Sequence, residues 1–132
     1  MVIMEWNAVW ETGVPAIDRQ HRELLERANR LLAGINGGPS GPDLEETLFH
    51  LAQYTDFHFR EEEAAMARTK FPGLREHREA HDGMRERVAA MAETLERDPA
   101  GLCGDLMAYF YDWLVNHMQT FDLDLARHLQ AH

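Results

Sequence analysis

Two histidines four residues apart, His77 and His81 in HREAH, have the type and spacing to bind a metal ion. A histidine and a glutamate stand at the same spacing in HFREE, His58 and Glu62. Residues four apart share one face of a helix, about 5–6 Å apart at Cβ, so each pair can reach one ion. His21 and His117 add two more imidazoles at positions that read as inward-facing. Unpaired, five inward imidazoles and a carboxylate would destabilise the core. A metal centre offsets that cost by taking a lone pair from each ring.

Asp122 follows His117 by five residues, in HMQTFD. On an ideal helix that step turns about 140° away, so periodicity does not select it. A widened turn or a leaning side chain would be needed; a solvated surface acid is the alternative. Five histidines, Glu62 and Asp122 exceed the about four ligands of a zinc site. The set suits two metals bridged by carboxylates. Imidazole and carboxylate without thiolate favour iron or another transition metal. No Glu-x-x-His pair ends on any of the five, unlike carboxylate-rich di-iron bundles.

The elements that must position these residues are marked by punctuation. Glycine and proline cluster at Gly13–Pro15, Gly34–Pro42, Pro72–Gly73 and Pro99–Gly104, dividing the chain into an arm and four long segments. Each segment has a helical hydrophobic period. The first runs Ile17, His21, Leu24, Leu25, Ala28, Leu31, Leu32, Ile35, with Asp18 as a cap near its start. The second runs Leu44, Leu48, Leu51, Thr55, His58, Glu62, Met66, with Ser40 or Asp43 as its cap. The third runs Leu74, His77, His81, Met84, Val88, Met91, Leu95. The fourth runs Leu106, Phe110, Trp113, His117, Phe121, Leu125.

This pattern predicts one all-α domain over residues 1–132, an up-down-up-down four-helix bundle. The expected helices cover about 17–36, 42–68, 73–97 and 102–128, after an arm at 1–16 whose Trp6 and Trp10 pack across the bundle. In an antiparallel bundle His21, His58, His77 and His117 meet at one level toward one end.

The net charge of −10, from 23 acids and 13 bases, argues against nucleic acid and against anionic membrane surfaces. It also opposes self-association, so a monomer is expected. Hydrophobic residues make up 45% of the chain, enough for a sizeable core, yet no run is long enough to span a membrane. Glu5 interrupts the N-terminal stretch, which does not read as a leader. The lone cysteine, Cys103, cannot form an internal disulfide and fits a reducing, cytoplasmic setting. It reads as an inert thiol in the loop before the fourth helix.

The pieces VPAIDRQHRELL, HFREEEAAM, HREAH and WLVNHMQTFD, in this order from Trp6 to about Leu129, resemble the hemerythrins in their single-domain bacterial form. The resemblance implies that His77, His81 and His117 bind one iron and that His21 and His58 bind the other. Glu62 and Asp122 would bridge them together with an oxo or hydroxo group. It implies reversible dioxygen binding at the iron with two histidines, for storage, delivery or scavenging, with an oxygen-consuming enzyme as a partner. It further implies an apolar oxygen pocket of Leu24, Phe59, Trp113, Leu114 and Met118. Leu24 and Trp113 also fit plain core packing.

The chain departs from the family at Met118, where isoleucine is common, and at Leu125 and Phe71, where tyrosine is frequent. The alternatives are an oxygen or redox sensor acting through a partner, and a di-iron peroxidase or nitric oxide-handling enzyme. An enzyme would need a proton donor near the site. Tyr54, the tyrosine nearest to a ligand in sequence, reads as core packing, so binding rather than catalysis is expected.

Overall fold

The computed structural model describes residues 4–37 and 41–131, the side chains of 41–43 excepted. Four helices form the bundle, and no strand occurs among the described residues. Helix α1 spans Pro15–Asn36, α2 Gly41–Arg68 and α3 Leu74–Arg97. Helix α4 is one continuous column over 99–131, built from Pro99–Asp105, Leu106–Tyr111, Asp112–His117, Met118–Asp122 and Leu123–Ala131. Two of those pieces, Leu106–Tyr111 and Met118–Asp122, are π-helical.

The π turns change which residues face inward. The buried residues of α4 include Leu102, Leu106, Phe110, Leu114, Met118 and Asp122, at strict intervals of four. In a pure α-helix each step of four drifts about 40°, so this stripe would wind well around the helix. The wider turns cancel the drift. Trp113 and Phe121, expected on the inward stripe, therefore lie at its edge, only partly buried. Leu74 in α3 is also only partly buried. The other stripe positions of α2 and α3 are buried as the periodicity predicts, and Phe59 joins them.

Helix ends show local chemistry. Asp18 does not cap α1, which begins at Pro15. Its carboxylate instead accepts from Thr12 N–H and Oγ1–H, both at 2.8 Å, and from Gly13 N–H at 3.2 Å. It thereby ties the arm to the helix. Gly13 has φ +85°, where a Cβ would be strained. Just beyond α2, Lys70 takes φ 56° and Phe71 N–H bonds to Met66 O at 2.9 Å. That six-residue closure, followed by Pro72, turns the chain sharply into α3. Asp98 caps α4 by accepting from Gly101 N–H at 3.1 Å, with Pro99 at the first helical position. Cys103 accordingly lies in the first turns of α4 rather than in a loop. The expected cap of α2 falls outside what is described: Ser40 is not among the described residues, and Asp43's side chain is excepted.

The arm packs across α1 and α4. Asn29 clamps the Met4 backbone with two bonds of 2.8 Å, and Tyr111 donates to Glu5 O at 3.2 Å. Trp10 is buried edge-on between Trp6 and Tyr111. The apolar interior has two parts. A large cluster, with Leu24, Leu51, Phe59, Met84, Leu114 and Met118, fills most of the bundle. A small one of Ile17, Met66 and Leu125 closes the end where α1 begins. Between them lies a layer of buried polar side chains.

Candidate metal centre

That layer draws on all four helices. His21 comes from the second turn of α1 and His58 and Glu62 from the latter half of α2. His77 and His81 come from the start of α3, and His117 and Asp122 from the latter half of α4. All seven are between 0 and 4% exposed. They fall into two groups whose ligand atoms lie within 4.8 Å of one another: Glu62, His77, His81, His117 and Asp122, and His21, His58, Glu62 and Asp122. The two carboxylates belong to both groups.

Their oxygens divide between the groups. Glu62 Oε1 lies 3.4 Å from His77 Nε2 and 3.1 Å from His81 Nε2, while Oε2 lies 3.3 Å from His58 Nε2 and 3.7 Å from His21 Nε2. Asp122 Oδ1 lies 3.1 Å from both His77 Nε2 and His117 Nε2, and Oδ2 lies 2.9 Å from His21 Nε2. Each carboxylate thus offers one oxygen to each group. The π turn at Met118–Asp122 brings Asp122 here, the widened turn that the spacing required.

The donor set fits metal ions. His21 Nε2, His58 Nε2, Glu62 Oε2 and both Asp122 oxygens are buried with no hydrogen-bond partner despite these short distances. Buried polar atoms left unpaired are costly. Lone pairs converging on common points satisfy them all when cations sit there. Nitrogen and oxygen donors without sulfur suit an iron-type transition metal.

The electrostatics of the site without metal show the same tension. Burial opposes protonation of His21 and His77, but the Asp122 and Glu62 carboxylates outweigh it and push both up to about 9. His81 moves down, because burial and the neighbouring His117 and His77 outweigh Glu62. Burial acts to raise both carboxylates, yet the histidines around them hold Glu62 and Asp122 well below the usual carboxylate range.

Two imidazoles are fixed from behind. His58 Nδ1–H donates to Gln20 Oε1 at 2.6 Å, and His81 Nδ1–H donates to Glu63 Oε2 at 2.8 Å. These bonds set the tautomers that leave Nε2 free as a ligand. Aromatic rings complete the mounting. Phe59 stacks on His81 at 4.0 Å, and His117 lies between Trp113 at 4.3 Å and Phe121 at 5.1 Å. Leu24, Phe59, Leu114 and Met118 are buried in the large apolar cluster beside the site, and Trp113 packs at its edge. Tyr54 lies partly buried against Phe57, with Arg27 over its ring.

Sequence reasoning missed Gln20, Glu63 and Arg85. Gln20 is one residue from His21, and Glu63 sits in an acidic run that reads as solvated surface. Only Arg85, four residues after His81, carried a spacing signal.

A family model described as the hemerythrin HHE cation binding domain matches residues 12–129. The chain is 28% identical to a bacteriohemerythrin of Stenotrophomonas maltophilia, over 100% of this chain and 85% of that protein. It is 30% identical to a bacteriohemerythrin of Pseudomonas paraeruginosa, over 97% and 84%. It is 26% identical to a myohemerythrin of Sipunculus nudus, over 89% and 86%.

Proposed function

Because the chain belongs to the hemerythrin family, we propose that it binds dioxygen reversibly at a pair of iron ions, serving oxygen storage, delivery or scavenging. The observation that carries this reading is the sharing of Glu62 and Asp122 between two groups of imidazoles. His77, His81 and His117 would hold one ion, His21 and His58 the other, with an oxo or hydroxo group as a further bridge. With only two histidines, His21 and His58, the second group would leave its ion with fewer protein ligands than the first. A bound iron pair would supply the site for dioxygen and two reducing equivalents.

The chain's own residues do the rest. Gln20 and Glu63 orient two of the imidazoles, and the stacked rings of Phe59, Trp113 and Phe121 hold His81 and His117 in place. Leu24, Phe59, Leu114 and Met118, buried in the apolar cluster, offer no proton, and with Trp113 they would line the oxygen pocket. An apolar lining without proton donors would favour binding over turnover. Among the described residues no helix is long and apolar enough to cross a membrane.

The test is to load the protein with ferrous iron in the absence of oxygen, count iron per chain, admit air, then purge. Two irons per chain and an absorption band that comes with oxygen and leaves on purging are expected. Irreversible oxidation with steady consumption of peroxide or nitric oxide would replace this reading with an enzymatic one.

A further inference from the structure

The two groups of ligands differ in what stands behind their imidazoles. Behind His58 is a neutral amide, Gln20, at 2.6 Å. Behind His81 is a carboxylate, Glu63, at 2.8 Å. Glu63 is itself gripped by Arg85, whose Nη1 lies 2.9 Å from Oε2 and Nη2 3.2 Å from Oε1. Arg85 is anchored in turn by Asp56 at 2.9 Å and Asp82 at 3.0 Å, and Asp56 is also held by Arg60 at 2.9 Å. Its guanidinium lies 5.3 Å over Phe59, the ring that stacks on His81.

The Arg85–Glu63 fork matters more than the other pairs. Glu63 is 12% and Arg85 24% exposed, whereas Asp56 and Asp82 are 45% and 59% exposed. Exposed pairs contribute little, while a two-bond guanidinium–carboxylate fork is strong and directional. Without Arg85, Glu63 would be a mostly buried anion drawn outward to water, and His81 would lose its partner. A carboxylate accepting the far N–H raises the basicity of an imidazole ligand.

We infer that Arg85 is a positioning residue: through Glu63 it raises the donor strength of His81 and so makes the three-histidine position the one that favours the higher metal charge. The inference rests on the two-iron reading and adds an ordering of its two positions that the ligand list does not contain.

The test compares iron-loaded wild type with Glu63→Gln, Arg85→Gln and Arg85→Lys, recording iron per chain and the potential of the first oxidation. The half-oxidised pair is followed by electron paramagnetic resonance. Glu63→Gln is nearly isosteric and preserves packing. Both it and Arg85→Gln are expected to raise the potential, weakening the preference for ferric over ferrous iron about tenfold. Arg85→Lys keeps the charge but loses the fork, and is expected to recover less than half of the shift. An unchanged potential in Arg85→Gln overturns the inference. So does a lowered one, which would mean that Arg85 only damps the charge of Glu63. So does full recovery in Arg85→Lys. Fewer than two irons in the wild type would overturn the two-iron reading itself, which keeps the two failures distinct.

Discussion

His117 and Asp122 are five residues apart in one helix, yet His117 Nε2 lies 3.1 Å from Asp122 Oδ1. The π turn at Met118–Asp122 closes that gap. In a plain α-helix the residue one turn after His117 would be Phe121, which here lies at the edge of the stripe and stacks on the His117 ring. The prediction is a swap. Phe121→Asp combined with Asp122→Phe should not restore metal binding, although it places the acid at the ordinary helical spacing. Metal per chain is expected to fall from two to at most one, measured by elemental analysis. Full occupancy in the swap would show that the turn relaxes and is not needed.

Gln20 holds His58 by a 2.6 Å bond in a buried setting. Gln20→Leu should leave the ring free to rotate and take the wrong tautomer. Affinity at the two-histidine position is expected to drop about 10–100-fold, with the other position less affected. Competition against a chelator of known strength would show two unequal steps where the wild type gives closer ones.

Removing the metal should change how stability depends on pH. In the metal-free protein His21 and His77 have pKa values raised from 6.5 to about 9 by the two carboxylates. Groups raised on folding stabilise the protein fully below their unfolded value and lose that contribution as pH rises through the folded one. The metal-free protein is therefore expected to lose stability between pH 6.5 and about 9, read by urea unfolding across that window. The loaded protein should be nearly flat there, because its imidazoles are neutral ligands throughout. Equal slopes for the two forms would contradict the assignment of these two rings.

Asn29 makes two bonds to the Met4 backbone, each 2.8 Å. Asn29→Ala should cost about 1–3 kcal/mol, from two net contributions of ordinary size. The arm should also become the first site of protease cleavage, while metal content stays unchanged. Loss of metal in this variant would mean that the arm supports the site directly.

The amino-acid sequence by itself determined the bundle, the level at which the histidines meet and the identity of most of the polar side chains gathered there. The 3.6-residue period placed His21, His58, Glu62, His77, His81 and His117 on apolar stripes, and polar residues on such stripes need a compensating partner. Periodicity could say nothing for Asp122. A π turn has no strong local signature, and only the family resemblance pointed to this acid. Tertiary structure decided the rest. The inward face of α4 depends on two π turns, which leave Trp113 and Phe121 at the edge and put Leu114 and Met118 at the centre. Asp18 was legible as a helix-start acid, yet its partner turned out to be the arm. Gln20, Glu63 and Arg85 are ordinary polar residues in one dimension. Their roles arise only where α1 meets α2 and α2 meets α3, because a bond between residues far apart in sequence leaves no periodic trace in either segment.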